Sequence, residues 1–270
     1  MDANFDLSQW QVPGADAAFY IPNFVTQDEE AYLIRKIVEA PRHRWKQLAN
    51  RRLQIWGGEM TNNNLLIQSE MPAWLNQCPD IITRLRETGA YANSAHGAPN
   101  HVILNEYQAG QGIMPHQDGP AYHAVVGTIS LGSHAVFHYY EYADDDQQRD
   151  FGQSMRHEDV LTGGRRINPV PVLSLLLEPR SLIITTSKLY SCHLHGIEPL
   201  ETDSFSASST GHAVHQSSTT PYKIANADLI QGSQEQDLVR EGGSLKRGTR
   251  YSLTCRDVEK VVNRKFMGKR

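Results

Sequence analysis

The tripeptide His116-Gln117-Asp118 carries two side chains of the kinds that bind transition metals in proteins. In a β-strand, residues two apart point to the same side, so the imidazole and the carboxylate can face one point. They are two of the three ligands of a 2-His-1-carboxylate triad, which leaves positions open on Fe(II) for substrate and oxygen. The tripeptide therefore predicts most of a catalytic metal site, with one histidine still to be found.

His-x-Asp occurs twice in the chain, and the surroundings separate the two copies. His157-Glu158-Asp159 follows an acidic run, Asp144–Asp146, and no apolar alternation surrounds it, which predicts a solvated loop. The copy at His116–Asp118 lies between two apolar runs, His101–Leu104 and Val125–Leu131, which are typical of buried strands. We therefore place the metal site at His116 and Asp118.

The third ligand must come from another strand, and two histidines satisfy the spacing. His193 and His195 both lie between an apolar segment and Pro199, so each falls near a strand end. Gly196 follows His195 and would let the backbone approach a metal ion closely. This favours His195 over His193.

Arg250 and Arg256 are six residues apart, an even number, so they share one face of a predicted strand. Their α-carbons would lie about 20 Å apart at about 3.3 Å per residue, and two long side chains could hold a short dicarboxylic acid between them. Asn105 and Tyr107, again two apart, could add neutral hydrogen bonds. Two buried arginines without partners would be costly, which favours a bound ligand.

These residues need a sheet to position them, and the sequence predicts one with helices near the N-terminus. Thr26-Gln27-Asp28-Glu29 is a capping box that begins a helix, and Pro41 ends it. A second helical region runs from about 72 to 88 and is split by Pro79. Short strands are predicted at 19–21, 101–104, 125–131, 135–140, 172–177, 181–184 and 250–256. This order predicts an α+β fold: a double-stranded β-helix (jelly-roll or cupin-like barrel) with N-terminal supporting helices.

The sequence predicts one large domain with polar insertions and a short segment at each terminus. Residues 1–18 are predicted to be a flexible N-terminus, 19–260 a single domain, and 261–270 a basic tail. Polar insertions are predicted near 141–169 and 201–245. Residues 201–220 are rich in serine and threonine, and we expect a flexible segment from 201 to about 245.

Composition sets further limits. The net charge of −4 predicts no overall attraction to nucleic acid, so any such surface must be local. The three cysteines are widely spaced, which argues against a disulfide framework and for a reducing compartment. The chain shows neither a signal peptide nor an apolar run of the roughly 18 residues that span a bilayer. We expect a protein of the cytoplasm and nucleus with no membrane partner.

A local surface of the required kind lies between residues 42 and 58. Arg44, Arg51 and other basic residues alternate there with Trp45 and Trp56. Basic side chains neutralise phosphates and aromatic faces stack on bases, so these four residues are candidate substrate contacts. The alternative is a solvated loop whose tryptophans fill the core.

Taken together, the motifs resemble the AlkB-type family of Fe(II)- and 2-oxoglutarate-dependent dioxygenases. The resemblance rests on Asn105-x-Tyr107, His116-x-Asp118, His195-Gly196-Ile197 and Arg250-Tyr251-Ser252-Leu253-Thr254 followed by Arg256, in that order. Four further segments resemble one branch of the family: 54–58, 112–116, 129–134 and 174–182. The resemblance covers the chain from about 19 to 258, apart from the two polar insertions.

The resemblance implies the roles of these residues. His116, Asp118 and His195 would be the catalytic centre and hold Fe(II), with 2-oxoglutarate as cosubstrate and molecular oxygen as oxidant. The cosubstrate contacts would be Asn105, Tyr107, Arg250, Ser252, Thr254 and Arg256. Arg250 would pair with the distal carboxylate, and Arg256 would contact the end that chelates the metal. Hydroxylation of an N-methyl group would release formaldehyde and a demethylated amine.

Two departures bear on the substrate. Some nucleic-acid-repair members carry an acidic residue two places after the metal-binding aspartate, where this chain has Pro120. The position before Arg256, often aromatic in the family, is Cys255.

The leading hypothesis is an oxidative demethylase of an N-alkylated base in DNA or RNA. The alternatives are a protein side-chain hydroxylase or demethylase, and a catalytically silent binding module. A zinc cupin would have no need for both arginines.

Overall fold

Strands dominate the computed structural model, which describes residues 5–143, 165–207, 213–216 and 221–263. The strands in these residues are β1 (Gln11–Val12), β2 (Ala15–Ile21), β3 (Lys46–Gln47), β4 (Arg52–Trp56), β5 (Gly58–Met60), β6 (Leu66–Gln68), β7 (His101–Tyr107), β8 (Ile113–His116), β9 (Tyr122–Leu131), β10 (Ala135–Tyr140), β11 (Leu173–Leu177), β12 (Leu182–Thr186), β13 (Leu194–Ile197), β14 (Thr202–Ala207), β15 (Ala213–Gln216), β16 (Pro221–Lys223), β17 (Gly243–Lys246), β18 (Arg250–Val258) and β19 (Val261–Asn263). The α-helices are α1 (Gln27–Val38), α2 (Ala73–Asn76), α3 (Ile81–Glu87), α4 (Ser187–Ser191) and α5 (Ser233–Glu241). Short 3-10 helices lie at Leu7–Trp10, Arg42–Arg44 and Ala227–Leu229.

Two antiparallel sheets pack face to face and enclose the predicted site. The larger has the strand order β1-β2-β12-β9-β18-β7-β4-β3, and the smaller has the order β11-β10-β13-β8. Tyr20 and Ile183 of the larger sheet pack with Phe137, Tyr139 and other apolar residues of the smaller one. The arrangement is the predicted jelly-roll, two sheets around one apolar layer.

The N-terminal helices cover the outer face of the larger sheet. Leu33 and Ile37 of α1 and Leu85 of α3 pack there against Leu104 and Leu253. The capping box that begins α1 is present: Thr26 Oγ1 accepts a hydrogen bond from Glu29 N, and Glu29 Oε2 accepts one from Thr26 N. Pro79 separates α2 from α3, as its place in the sequence predicted. The supporting helices are thus confirmed.

Alternation along β18 decides which side chains reach the site. Tyr251, Leu253 and Cys255 belong to the core beneath the helices. The intervening residues, among them Arg250 and Arg256, therefore point to the opposite face, between the two sheets.

The expectation of a flexible N-terminus to residue 18 is wrong from residue 5 onward. β1 and β2 lie at one end of the larger sheet, and β2 pairs with β12 through residues such as Tyr20 and Ile183. Val12 and Ala18 are fully buried. Burial of these apolar side chains stabilises the segment in its two strands.

The expectation of a flexible segment at 201–245 is also wrong for the residues described. β14–β17 form a four-stranded sheet in the order β16-β15-β14-β17, and α5 packs on it. Phe205, Leu238 and Leu245 pack with Val136 and Leu176 of the smaller barrel sheet. Each strand contributes one or two apolar residues, which is too weak a pattern to predict from sequence, and burial comes from the barrel surface beneath.

Several predictions fall where the structure gives no description. The second His-x-Asp copy at His157–Asp159, the core of the 141–169 insertion, and residues 264–270 of the tail lie outside the described ranges. The first tail residues form β19, which pairs in parallel with β6. The assignment of 19–260 to one domain stays a prediction. Among the described residues, no helix has the length and apolar content to cross a bilayer.

Candidate metal centre and cosubstrate pocket

His116, Asp118 and His195 converge between the two sheets. One ligand atom from each lies within 4.8 Å of the other two, and the histidine ring centroids are 4.4 Å apart. β8 pairs with β13 so that His116 stands opposite His195. β8 ends at His116, so Asp118 belongs to the following loop and not to the strand face that the sequence predicted.

The structure shows which of the two candidate histidines faces the metal site. His193 precedes β13, and its ring nitrogens lie 3.1 Å from Lys188 O and 3.0 Å from Glu141 Oε1. His195 lies inside β13 and faces Asp118, with 3.9 Å between Nε2 and Oδ1. Gly196 has a different role from the predicted one: a Cβ there would lie 3.0 Å from Ile113 O and 3.1 Å from Pro115 N. It permits close packing of β13 on β8.

Hydrogen bonding and burial prepare the three groups for a cation. His116 Nδ1 lies 2.8 Å from Met114 O, and because a carbonyl only accepts, this nitrogen carries the proton and Nε2 keeps its lone pair. Burial lowers the pKa of His116 and lowers the pKa of His195 to about 3, so both imidazoles are neutral. Burial by itself would raise the pKa of the Asp118 carboxyl, but the Arg256 guanidinium beside it brings the pKa below its usual value. Two neutral imidazoles and a carboxylate are the donor set that Fe(II) takes in a facial triad.

A pocket beside the triad contains every predicted cosubstrate residue. Its walls include the three candidate metal ligands and Asn105, Tyr107, Arg250, Ser252, Thr254 and Arg256. The remaining lining residues are Ile113, Val126, Thr128, Phe137, Thr185 and Ile197. The cavity between these residues has a volume of about 50 Å³. The even spacing on β18 and on β7 is what brings these residues to one wall.

The two arginines carry unused hydrogen-bond donors in this pocket. Arg250 Nε and Arg256 Nη1 are buried and have no hydrogen-bond partner among the described residues. Arg250 Nη2 donates to Ser130 Oγ at 2.9 Å, and Arg256 Nε donates to Asp118 Oδ2 at 3.0 Å. Burial lowers the pKa of Arg250 to about 10, which leaves it charged at neutral pH. Buried charged donors of this kind fit the carboxylates of 2-oxoglutarate.

Ser130 and Phe137 are site residues that the sequence analysis missed. Ser130 accepts the hydrogen bond from Arg250, and the Phe137 ring stacks on His195 with 5.4 Å between centroids. Alternation along β9 is the signal that could have found Ser130, because Val126, Thr128 and Ser130 are two apart.

The segment from Arg42 to Trp56 has a mixed placement. Trp45 and Trp56 are partly buried against the main core, and Trp56 Nε1 donates to Gln54 Oε1 at 3.0 Å. Arg44 lies over the Trp56 ring, 4.9 Å from its centroid, and Arg52 lies over Trp45 at 4.0 Å. The exposed faces of this segment are therefore guanidinium groups supported by indole rings.

Arg51 connects this segment to the pocket. Its Nε donates to Asn105 Oδ1 at 2.9 Å, and Asn105 lines the cosubstrate pocket. Four residues were predicted to contact the substrate: Arg44, Trp45, Arg51 and Trp56. Of these, Arg51 is hydrogen-bonded to a residue of the cosubstrate pocket.

Comparison with known proteins agrees with this geometry. The sequence profile of the 2OG-Fe(II) oxygenase superfamily matches residues 17–256. The probable RNA/DNA demethylase ALKBH6 of Danio rerio is 35% identical over 271 residues, covering 98% of this chain and 96% of the relative. The chain is an AlkB-type member of the 2OG-Fe(II) oxygenase superfamily. It is accordingly a 2-oxoglutarate-dependent dioxygenase whose cofactors are Fe(II), 2-oxoglutarate and oxygen.

Two more distant similarities were found. The tRNA (carboxymethyluridine(34)-5-O)-methyltransferase alkbh8 of Xenopus tropicalis is 23% identical over 88% of this chain and 31% of its own length. A solved structure of OsALKBH1 superposes with a TM-score of 0.47 and 14% identity, covering 89% of this chain and 96% of that one. The four segments that predicted one branch of the family correspond to the branch of the sixth AlkB homologue, and the Danio rerio relative confirms that prediction.

The Arg250→Ala variant is expected to raise the KM for 2-oxoglutarate by at least about 30-fold, because removal of one partner from a buried charge pair costs about 2–5 kcal/mol. Arg250→Lys keeps the charge but loses the planar fork, and we expect an intermediate increase. Succinate release at varied 2-oxoglutarate measures the effect. Ser130→Ala removes only the hydroxyl that Arg250 contacts and should change KM much less. An unaltered KM in Arg250→Ala would contradict the assignment of this arginine.

Proposed function

We propose that this enzyme oxidatively removes alkyl groups from nitrogen atoms of nucleic-acid bases. The observation that carries the proposal is the pair of unused, buried guanidinium nitrogens beside three converging metal ligands. The names of the Danio rerio and Xenopus tropicalis relatives, a demethylase of RNA or DNA and a tRNA methyltransferase, support nucleic acid as the substrate class.

In this proposal different residues of the pocket bind the metal and the cosubstrate. His116, Asp118 and His195 would hold Fe(II), and burial keeps both imidazoles neutral. Arg250 binds the distal carboxylate of 2-oxoglutarate, with Asn105 and Tyr107 as neutral partners. The bound iron, with the cosubstrate and oxygen, supplies the oxidation of a C–H bond, and a hydroxylated N-methyl group leaves as formaldehyde.

Arg256 lies at the metal end of the pocket, and Ser252 and Thr254 line the wall between the arginines. Arg256 holds Asp118 through two donors, Nε and Nη2, and so orients the carboxylate toward the histidines. The side chains of β18 would thereby place both the cosubstrate and the metal ligand.

A groove next to the pocket is large enough for the substrate. Its volume is about 500 Å³, within the range of roughly 300–1,000 Å³ for small-molecule sites. It shares Ile113 and Ile197 with the cosubstrate pocket, and Ala49 and Asn50 form part of its wall. A base held in this groove would lie beside Ile113 and Ile197, the residues that the groove shares with the cosubstrate pocket.

The basic segment would bind the phosphates that accompany such a base. Arg42, Arg44 and Lys46 are exposed and lie a few residues from the groove wall at Ala49. Arg44, Trp45, Arg51 and Trp56 stay proposed substrate contacts, with Arg51 nearest to the cosubstrate pocket through Asn105. Cytoplasm and nucleus stay the predicted locations.

Replacing Arg42, Arg44 and Lys46 by glutamine is expected to weaken binding of a methylated oligonucleotide by about 10-fold or more at low salt. Each phosphate contact that is lost also reduces the slope of log affinity against log salt by about 0.7–0.9. Fluorescence anisotropy over a salt series measures both quantities. The matched control is Arg86→Gln, Lys223→Gln, Lys246→Gln, which removes three exposed charges elsewhere.

Equal binding by the two triple variants would count against the basic segment as the nucleic-acid surface. Formaldehyde release from N-methylated oligonucleotides and from N-methylated peptides, compared at equal concentration, tests the substrate class itself. We expect release from oligonucleotides only, and selective release from peptides would overturn the proposal in favour of the protein side-chain alternative.

A further inference from the structure

A second cluster of metal-binding side chains lies outside the active site. His138, Glu198 and His215 each place one ligand atom within 4.8 Å of the others. Both histidines are fully buried. The three residues come from distant parts of the chain: His138 from β10, Glu198 from the loop after β13, and His215 from β15.

The cluster is on the far side of the smaller barrel sheet from the iron centre. Phe137 and Tyr139 of β10 belong to the core between the two barrel sheets, and Phe137 stacks on His195. Val136 belongs to the core under the β14–β17 sheet. His138 alternates with Phe137 and Tyr139, so it shares the outward face with Val136. The cluster therefore lies where the β14–β17 sheet covers the barrel.

Two ring nitrogens in this cluster have no other use. His138 Nε2 and His215 Nδ1 are buried and lack a hydrogen-bond partner among the described residues. Burying a polar atom without a hydrogen-bond partner costs about 1–3 kcal/mol of folding free energy. Two such nitrogen atoms in one cluster therefore indicate a ligand that is bound there.

The other nitrogen of each ring is held by a neighbour. His215 Nε2 lies 2.8 Å from Asp203 Oδ1, and a carboxylate only accepts, so the proton is on Nε2 and Nδ1 keeps its lone pair. His138 Nδ1 lies 2.8 Å from Ser174 Oγ, which can accept the proton of that nitrogen. Metal-binding histidines are commonly oriented in this way, by a carboxylate or other acceptor on the far nitrogen.

The charged groups beside the cluster are paired with one another. Arg247 donates to both oxygens of Asp203, at 2.6 and 2.7 Å, and so compensates its charge. His134 Nε2 lies 2.9 Å from the same carboxylate. Burial lowers the pKa of His138 to about 3, so this ring offers a lone pair at neutral pH.

We propose that His138, Glu198 and His215 bind a second metal ion, Zn²⁺, that fastens the β14–β17 sheet to the barrel. Two imidazoles and one carboxylate suit Zn²⁺, which accepts three protein ligands and a fourth from solvent. Ca²⁺ and Mg²⁺ require more oxygen ligands than the cluster offers. Zn²⁺ also binds nitrogen ligands more tightly than Fe(II) or Mn(II) does. Glu198 and Tyr140 line the groove of about 500 Å³, which gives the ion a route from solvent.

Metal stoichiometry tests this site independently of turnover. The background is the full chain with His116→Ala and Asp118→Ala, which removes the iron centre. After EDTA treatment, desalting and loading with Zn²⁺, metal analysis should find one ion per chain in this background. His138→Gln or His215→Gln added to it should reduce affinity by at least about 100-fold, more than the 10–100-fold typical of a lost outer-shell partner. Ser174→Ala, which removes such a partner, should fall within that range.

Matched variants keep the experiment decisive. His43→Gln makes the same substitution at an exposed site and should leave binding unchanged. Glu198 is only partly buried, so the Glu198→Gln variant tests the metal site even if a buried histidine variant fails to fold. Co²⁺ loaded in place of Zn²⁺ should give visible absorption bands in the background that are lost in His138→Gln. Zn²⁺ should also raise the Tm of the background but not that of the His138→Gln variant.

Absence of Zn²⁺ from the background at saturating concentration would overturn the proposal. Equal binding with and without His138, Glu198 and His215 would overturn it as well, and would indicate a surface histidine site. Neither result depends on whether the iron centre acts on nucleic acid.

Discussion

Replacing His116 and Asp118 together by alanine is expected to reduce succinate production from 2-oxoglutarate by about 1000-fold or more. The variant loses two of the three proposed metal ligands, and the metal carries the oxidation chemistry that the protein side chains cannot perform. Neither residue belongs to the apolar core clusters, but Asp118→Ala also leaves the buried Arg256 guanidinium without its carboxylate partner, so a loss of stability is expected and the assay is run below the Tm of the variant. Succinate is measured with purified protein, Fe(II) and ascorbate, and far-UV circular dichroism checks the fold.

The second His-x-Asp copy supplies the matched control. His157→Ala with Asp159→Ala changes the same residue types at the same spacing, and it should leave succinate production unchanged. Turnover that survives in the first variant would refute the assignment of the iron ligands. Loss of turnover in both variants would show that His-x-Asp at 157–159 was wrongly predicted to be a solvated loop. Binding of 2-oxoglutarate without turnover in the unaltered protein would show that the required substrate was absent.

Asp203→Ala is expected to lower the free energy of unfolding by about 3–5 kcal/mol. The Asp203 carboxylate is fully buried and accepts hydrogen bonds from Arg247, His134 and His215. Its removal leaves the buried Arg247 charge uncompensated. Among the described residues, the hydrogen-bond acceptor that remains is the Glu198 carbonyl oxygen, 2.7 Å from Nη1. Urea unfolding with EDTA present measures this loss without any contribution from a bound metal.

Two comparisons identify the cause of that loss. Glu39→Ala breaks the exposed Lys36–Glu39 pair and should change stability by no more than about 1 kcal/mol. Asp203→Ala combined with Arg247→Met removes both charges and should recover part of the loss, because the cost comes from the charge left behind. An Asp203→Ala variant as stable as Glu39→Ala would contradict this account.

Features that depend on short stretches of sequence were predictable. The capping box at Thr26 and Glu29 forms because both bonds join residues three apart. Arg250 and Arg256 line one pocket because strand geometry places every second side chain on the same face. Alternation of this kind is a property of the backbone, and it holds wherever the strand is placed in the fold.

Other features depended on which segments meet. His195 rather than His193 reaches His116 because β13 begins at Leu194 and pairs with β8, which the tripeptide His193–His195 cannot indicate. The strands at 173–177 and 182–186 are near neighbours in sequence but belong to different sheets, since β11 pairs with β10 and β12 pairs with β2 and β9.

The sequence by itself determined the ligand types, the strand faces and the AlkB-type family of this protein. Only the tertiary structure decided that β14–β17 form a sheet on the barrel and that His138 and His215 meet beneath it. The physical reason is that local spacing follows from backbone geometry, whereas contact between distant residues follows from burial of scattered apolar side chains. Phe205, Leu238 and Leu245 are too few to form a periodic pattern, yet together they cover Val136 and Leu176 and bring the two histidines into contact range.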